Sequence, residues 1–260
     1  HGFMSSRSQW LPQLEEFTKY GFTCIVIDLL GHNGAKRENA IEQELESECL
    51  SDKQFVEHSR LGNIARCQDL CVDYILWLRG EAFPDLDLNG QKILIDCANG
   101  AASEIAPRVM KAFGAEAILM HAAPNGSNIN LDCGATKPQV CATEMLKHQY
   151  DAGLSLDGDA DRGILCDNTG RILDGDTILA GLGQAMSQQQ KLANNTVVAT
   201  VMSNLALETY LKESGVTLLR TQVGDKYVAQ EMRNGNHNLG GEKSGHILFG
   251  TEHGFRGDGL

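Results

Sequence analysis

Alternation between short apolar runs and amphipathic segments is the sequence feature that most restricts the possible folds. Runs typical of buried strands, such as KILID (92–96) and TVVATVM (196–202), alternate with segments of helical periodicity such as SEIAPRVMKAFG (103–114). Strands that alternate with helices along a chain assemble into sheets covered by helices. The pattern therefore predicts an α/β fold.

Two stretches without apolar periodicity indicate where the chain divides. The loop EAFPDLDLNG (81–90) precedes the first alternating unit, and the polar stretch SQQQKLANN (187–195) separates it from a second unit. Upstream, RENAIEQELESE (37–48) is acidic and helical, and a further helix is predicted to stop at Gly80. The predicted segments are 1–33, 34–82, 83–187 and 188–260.

Charge and cysteine content argue against several classes of protein. The 260 residues include 34 acidic and 22 basic side chains, and a net charge of −12 is unsuited to sequence-independent nucleic-acid binding. No apolar run approaches the length of about 18 residues that suggests a membrane span, and no signal peptide is visible. The eight cysteines include no CxxC pair, so we expect reduced thiols in a cytoplasmic protein.

The segment LSLDGDADRGIL (154–165) has three carboxylates at alternate positions, directly after a predicted strand. Ligands in open α/β sheets gather at the carboxyl ends of strands, and Gly158 permits the turn that brings Asp157, Asp159 and Asp161 together. Ligation by oxygen alone suits a hard cation, and Mg²⁺ fits best because it takes few protein ligands and accepts a phosphate oxygen. A solvated acidic turn is the alternative interpretation.

Neighbouring residues refine this prediction. An EF-hand also begins D-x-D-x-D, but it needs Gly and Glu where this chain has Arg162 and Asn168. An arginine beside a metal can hold a phosphate oxygen through two N–H groups. Asp174 and Asp176 are predicted to cap the following helix rather than to bind metal. The single glycine of CANGAA (97–102) favours close packing over a phosphate cradle.

Short motifs are spread along most of the chain. They are ILIDCANGAA (93–102), PNGSNIN (124–130), GAT (134–136), LSLDGDADRG (154–163), VMSN (201–204), VGDKYV (223–228), GGEKSGHI (240–247) and GDGL (257–260). In this order and with approximately this spacing, they resemble the α-D-phosphohexomutase superfamily and, within it, the phosphoglucosamine mutases. The resemblance covers about residues 37–260.

The resemblance implies two consecutive mixed α/β domains of phosphohexomutase type, 83–187 and 188–260, which are the second and third of four that surround one cleft. It implies that residues 34–82 are a remnant of the first domain with the connecting helix. It implies Mg²⁺-dependent interconversion of glucosamine 6-phosphate and glucosamine 1-phosphate through a phosphoserine and a 1,6-bisphosphate. This reaction serves the synthesis of UDP-GlcNAc and cell-wall precursors. The metal ligands that it implies are Asp157, Asp159 and Asp161, with the phosphoserine as a further ligand.

The resemblance also implies contacts to a phosphorylated hexosamine. The substrate-binding residues that it implies are Arg162, Lys226, Glu242, Ser244 and His246. Of these, Glu242 and Ser244 would bind sugar hydroxyls. Lys243 differs from the residues usual at its position, which leaves the sugar preference open. A phosphomannomutase or phosphoglucomutase is therefore the alternative.

Two parts of such an enzyme are not found in the sequence. No Ser-His-Asn-type phosphoserine loop occurs, so no catalytic residue is assigned, and the fourth domain would lie beyond Leu260. We therefore expect the isolated chain to lack mutase activity. A non-catalytic phosphosugar-binding fragment is a further alternative. Exposed domain faces would also favour association of the chain with itself or with other chains.

The first residues carry a different resemblance. Residues 1–32 include HGF and CIVIDLLGH and resemble the strand-helix-strand start of an α/β-hydrolase. A hydrolase needs a G-x-S-x-G nucleophile elbow, which this sequence lacks, so we do not expect hydrolase function. We predict a short fragment of different origin joined near residues 31–36. A diverged unit of the first mutase domain is the alternative.

Overall fold

The computed structural model describes residues 67–250 and 257–260, almost all of which belong to one compact region, Leu70–Leu260. This region contains both predicted α/β units. The predicted hydrolase-like segment 1–32 and the acidic helix 37–48 lie outside the described residues. Within the described part of the chain, none of the helices combines the length and the apolar character that a membrane crossing requires.

The first sheet is mixed and has five strands. They are β1 (Lys92–Asp96), β2 (Glu116–Met120), β3 (Ala152–Leu156), β4 (Gly163–Asp167) and β5 (Ile172–Leu173). Their spatial order is β2-β1-β3-β4-β5. β1 pairs in parallel with β2 and β3, whereas β4 pairs antiparallel with β3 and β5.

Helices cover both faces of this sheet because successive strand residues point to opposite sides. The helix α1 (Cys67–Trp77) precedes the sheet, and the helices α2 (Ala102–Ala112) and α3 (Gln139–Met145) cover it. Ile95 packs with Met110 of α2 on one face, while its neighbour Leu94 packs with Met145 of α3 on the other. Both cores are built on the interior strand β1, as its apolar sequence predicts.

The second sheet repeats this arrangement with four strands. Its elements are α4 (Gly175–Gln188), β6 (Thr196–Thr200), α5 (Leu205–Glu213), β7 (Thr217–Thr221), α6 (Asp225–Gly235), β8 (Leu239–Gly241) and β9 (Ile247–Phe249). The strand order is β7-β6-β8-β9, with only the β8–β9 pair antiparallel. Val197 packs with Leu211 of α5, and Val198 packs with Met232 of α6 on the opposite face.

The position of α4 differs from the sequence prediction. The predicted boundary at 187–188 placed this helix with the first unit. In the structure Leu179 of α4 packs with Val197 and Leu211, so the helix belongs to the second core. The polar stretch 187–195 is therefore the connection from α4 to β6, and not the seam between the two units.

The end of the first described helix also differs. The helix was predicted to stop at Gly80, but it continues from α1 through a π-helical turn, Leu78–Ala82. Leu78 is buried against Val109 and Phe113 at the end of α2. This apolar contact extends the helix beyond a residue that commonly ends one.

An apolar cavity of about 780 Å³ is lined by residues of both α/β units. Its wall includes Trp77 of α1, Leu165 of β4, Ile178 of α4, Phe249 of β9 and Leu260. Trp77 and Leu165 remain 37% and 36% exposed. Exposed apolar surface of this kind is compatible with the predicted association through domain faces, which stays a prediction.

Candidate functional site

The acidic loop, residues 157–162, connects β3 to β4 and lies at the carboxyl end of β3, as the sequence predicts. One carboxylate oxygen from each of Asp157, Asp159 and Asp161 lies within 4.8 Å of the others. Asp157 is only 1% exposed, whereas Asp161 is half-buried and Asp159 is exposed. The loop therefore gathers three carboxylates that are closed off by protein on one side and open to solvent on the other.

Arg162 is the counter-ion of this loop. Its Nε donates to Asp157 Oδ2 at 2.8 Å and to Asp161 Oδ1 at 3.3 Å. Its backbone N–H also donates to Asp157 Oδ1 at 3.1 Å. These charge-assisted hydrogen bonds hold two like-charged side chains next to each other.

The surroundings of Asp157 shift the pKa of its carboxyl group. Burial raises the pKa of this carboxyl above its usual range, and the negative charges of Asp161 and Asp159 raise it further. The backbone hydrogen bond and the positive charge of Arg162 oppose this rise without cancelling it. A cation among the carboxylates would favour their ionised form and lower their mutual repulsion.

A neighbouring loop fixes the backbone under the carboxylates. The N–H of Ala101 donates to the carbonyl oxygen of Gly158 at 2.9 Å, and a Cβ on Gly100 would lie only 2.2 Å from that oxygen. Ile129 and Asn130 also pack against Gly158. The CANGAA motif thus supports the acidic loop by close packing, in agreement with the prediction.

The predicted sugar loop, residues 242–246, is the turn of the hairpin between β8 and β9. Two backbone hydrogen bonds close it, from Glu242 N–H to His246 O at 2.9 Å and from Gly245 N–H to Glu242 O at 3.0 Å. Ser244 is exposed in this turn, whereas His246 is buried at its end. The hairpin strands have only three residues each, which is too short for a periodic signal in the sequence.

Three glycines bring the acidic loop into direct contact with the second unit. The N–H of Gly163 donates to the Gly245 carbonyl at 3.1 Å, and the N–H of Gly259 donates to the Ala160 carbonyl at 2.8 Å. A Cβ on Gly245 would lie 2.5 Å from the carbonyl oxygen of Gly163, and one on Gly259 would lie 2.6 Å from that of Arg162. Backbones can approach this closely only where no side chain intervenes.

This contact brings the end of the sugar loop to the carboxylates of the acidic loop. Nδ1 of His246 lies 3.6 Å from Asp161 Oδ2. Glu242 Oε1 accepts the N–H of Gly224, the residue before α6, at 3.0 Å. Lys226 is exposed in the first turn of α6, with its Nζ 4.8 Å from the ring centroid of Tyr227. The structure therefore brings His246 to the acidic loop and Glu242 to α6. Among the described residues, Lys226 makes no hydrogen bond or ion pair with either loop.

The start of α4 supports the sugar loop. Asp174 caps α4, as predicted, by accepting a backbone N–H at 3.0 Å, and its Oδ2 lies 3.8 Å from Lys243 Nζ. Gly175 N–H donates to the carbonyl of Lys243 at 3.1 Å. Asp176 is buried and accepts the N–H of Asn204, the N-cap of α5, at 2.8 Å. These supporting contacts had no local sequence signal because they join residues that are distant in the chain.

Models of known protein families match both units. The phosphoglucomutase/phosphomannomutase α/β/α domain II matches residues 81–170, and α/β/α domain III of the same family matches residues 174–260. The chain belongs to this family. The acidic loop lies in the domain II match of the phosphoglucomutase/phosphomannomutase family, and the sugar loop lies in the domain III match.

Curated relatives in this family include phosphoglucosamine mutases. The chain is 49% identical over 201 residues to the phosphoglucosamine mutase of Nitratidesulfovibrio vulgaris, a match that covers 77% of this chain and 44% of that protein. It is 45% identical over 234 residues to the phosphoglucosamine mutase of Roseobacter denitrificans, covering 90% of this chain and 52% of that protein. The chain thus spans about half the length of these relatives.

A solved structure supports the fold of two mixed α/β domains. The crystal structure of a phosphoglucomutase/phosphomannomutase family protein from Burkholderia thailandensis has a TM-score of 0.64 at 24% identity, covering 73% of this chain and 41% of that chain. The two family models match residues from 81 onward, and the α/β-hydrolase resemblance of residues 1–32 is not borne out.

Proposed function

We propose that these residues are the metal-binding and sugar-binding domains of a phosphoglucosamine mutase, which interconverts glucosamine 6-phosphate and glucosamine 1-phosphate. The observation that carries the proposal is the contact between the acidic loop and the sugar loop, with His246 Nδ1 3.6 Å from Asp161 Oδ2. A cation site for phosphoryl transfer and a loop for sugar recognition thereby meet in one place. Identities of 49% and 45% to phosphoglucosamine mutases favour glucosamine as the sugar.

Asp157, Asp159 and Asp161 would hold Mg²⁺. The donor set fits this ion because it consists of carboxylate oxygens within 4.8 Å of one another. Burial and the negative charges of Asp161 and Asp159 raise the pKa of Asp157, and a cation among the carboxylates would oppose this rise. When bound, Mg²⁺ neutralises charge on a phosphoryl group in transit. Arg162 would hold two of the carboxylates through Nε and offer its Nη groups to a phosphate oxygen.

The sugar loop would position the hexosamine. Ser244 is exposed, and Glu242 has one oxygen fixed by the N–H of Gly224, which leaves the other for a sugar hydroxyl. His246 would contact the substrate beside the acidic loop, where the phosphate is transferred. Lys226 would add positive charge from α6. In this proposal the enzyme acts in the cytoplasm and supplies amino-sugar nucleotide synthesis.

Thermal unfolding of the 260-residue chain with and without Mg²⁺ tests the metal site. We expect Mg²⁺ to raise the Tm of the wild type, since a ligand at 100 times its Kd stabilises a protein by about 2.7 kcal/mol. Asp159→Asn should abolish this response. Asp73→Asn, which alters an exposed carboxylate on α1, is the matched control and should keep it. A full Mg²⁺ response in Asp159→Asn would refute the metal assignment.

Calorimetric titration with the 6-phosphates of glucosamine, glucose and mannose, each in the presence of Mg²⁺, tests the sugar preference. We expect glucosamine 6-phosphate to bind most tightly and Glu242→Gln to weaken its binding. Glu213→Gln, an exposed position on α5, is the matched control and should bind as the wild type does. Equal affinities for the three sugars would contradict the hexosamine assignment and favour a broader phosphohexomutase.

A further inference from the structure

A second group of metal-ligand side chains lies at the carboxyl edge of the first sheet, outside the acidic loop. Asp96 is the last residue of β1, His121 follows β2, and Cys133 precedes a short 3-10 turn, Gly134–Thr136. One donor atom of each side chain lies within 4.8 Å of the other two. A carboxylate, an imidazole and a thiol from three separate loops therefore converge on one point.

Asp96 is the centre of this group and has no exposed surface. Its Oδ1 accepts the N–H of Ala98 at 3.1 Å and lies 3.0 Å from His121 Nδ1, while its Oδ2 accepts the N–H of Gly134 at 2.9 Å. A carboxylate offers about four lone-pair sites, so Oδ2 retains one. If His121 Nδ1 turned from Asp96 to a metal ion, Asp96 Oδ1 would regain a second free lone-pair site. The hydrogen bonds from the Ala98 and Gly134 N–H groups would persist.

His121 connects the group to solvent. Its side chain is 34% exposed, and its Nδ1 faces the buried Asp96. Its φ of +45° lies in the left-handed region, which is uncommon for a residue with a Cβ. The half-exposed ring gives an ion a path into the group, and a route of entry is one requirement for a metal site.

Cys133 completes the group from the buried side. It has no exposed surface. Burial raises the pKa of its thiol, and the negative charges of Asp96 and Asp132 raise it further. Without a cation the side chain is therefore a neutral thiol beside a buried carboxylate. A bound metal ion would instead favour loss of the thiol proton, because it binds the thiolate form.

We propose that Asp96, His121 and Cys133 bind a transition-metal ion of the Zn²⁺ class. Nitrogen and sulfur donors select Zn²⁺ or Co²⁺ over Mg²⁺, whereas the acidic loop offers oxygen alone. Binding releases the thiol proton to solvent and uses the neutral imidazole. Three protein ligands leave the fourth tetrahedral position to a water molecule.

The ion would cross-link loops that pack against the acidic loop and the strand before it. The N–H of Asn130, three residues before Cys133, donates at 2.9 Å to the carbonyl of Ala98, two residues after Asp96. A Cβ on Gly134, the residue after Cys133, would lie 2.3 Å from the carbonyl oxygen of Leu156, the last residue of β3. The proposed role is structural: the ion limits the separation of the three loops.

Titration of the 260-residue chain with Co²⁺ in a phosphine reductant tests this proposal. A thiolate ligand to Co²⁺ gives a charge-transfer band in the near ultraviolet, and four-coordinate Co²⁺ gives strong visible bands. We expect both, and we expect Zn²⁺ but not Mg²⁺ to remove them. Cys133→Ser should abolish the charge-transfer band. His121→Gly should weaken Co²⁺ binding about tenfold or more, and glycine tolerates the left-handed backbone at this position.

Two control variants separate this site from other ligands. Cys71→Ser removes a half-buried thiol from α1, and Asp159→Asn alters the acidic loop, so both should keep the charge-transfer band. Circular dichroism without metal checks the fold of each variant, and His121→Gly decides the question if Cys133→Ser does not fold. A wild-type chain without the band, or unchanged Co²⁺ affinity in His121→Gly, overturns the proposal. The three side chains would then be a hydrogen-bonded cluster only, whatever the Mg²⁺ response of the acidic loop.

Discussion

Gly100→Ala should destabilise the chain and weaken Mg²⁺ binding, although it adds only one methyl group. The new Cβ would lie 2.2 Å from the carbonyl oxygen of Gly158, 2.7 Å from its Cα and 2.8 Å from its carbonyl carbon. All three are backbone atoms, so no flexible side chain can move aside. Since carbon atoms pack at about 3.5–4.0 Å, the two loops must separate by about 1 Å.

The size of the effect follows from the contacts at this position. Separation of the loops removes the hydrogen bond from Ala101 N–H to Gly158 O, which contributes about 0.5–1.5 kcal/mol. Overpacking of a close contact adds about 1–3 kcal/mol. Alanine also restricts the unfolded chain, which offsets about 0.4–1 kcal/mol. The expected net loss in the free energy of unfolding is therefore about 2 kcal/mol.

Urea unfolding followed by circular dichroism measures this loss. With a slope of about 2 kcal/mol per M, the midpoint should fall by about 1 M. Gly181→Ala is the matched control: it lies in α4, a Cβ there meets nothing within 4 Å, and we expect a gain of about 0.5–1 kcal/mol. Calorimetry should show weaker Mg²⁺ binding in Gly100→Ala but not in Gly181→Ala. A wild-type midpoint and wild-type Mg²⁺ affinity in Gly100→Ala would refute the packing argument.

Four other predictions concern the charge of Asp157, two buried polar side chains and activity. Because its folded-state pKa is raised, ionised Asp157 lowers stability at neutral pH. Without Mg²⁺ the free energy of unfolding should therefore rise as the pH falls through that pKa towards the ordinary value of about 4, and Asp157→Asn should flatten this dependence in urea titrations. Ser203→Ala should leave the urea midpoint unchanged or higher, because the buried Oγ has no partner among the described residues. Asp176→Ala should lower stability by about 1–3 kcal/mol, because it leaves the Asn204 N–H unpaired. The isolated chain should form no glucosamine 1-phosphate in a coupled assay, and turnover near that of a complete mutase would contradict the assignment of the phosphoserine to another domain.

The α/β class and the acidic loop could be predicted because both depend on residues close together in the chain. Leu94 and Ile95 alternate between two cores, which is the pattern of a strand buried on both faces. The three aspartates of the acidic loop occupy alternate positions next to a glycine, so a short segment contains the whole proposed metal site.

Features that depend on long-range contacts could not be predicted in this way. The contact between Gly163 and Gly245 joins two domains, and nothing local distinguishes these glycines from others in the sequence. Asp96 and His121 are separated by 25 positions, so their proximity requires β1 and β2 to be adjacent. The membership of α4 in the second core likewise depends on which sheet lies beside it, and a polar stretch after the helix is a poor guide to that choice.

The two backbone hydrogen bonds at the glycine contact determine which motion exposes their amide protons to solvent. The Gly163–Gly245 and Gly259–Ala160 bonds connect the acidic loop to segments of the second unit, and close backbone packing surrounds both. Exchange of the Gly163 and Gly259 amide protons with solvent would therefore require the two units to part, and not merely a loop to fluctuate. The backbone at this contact would then show slow exchange typical of sheet interiors, although part of the side-chain surface of the acidic loop is exposed.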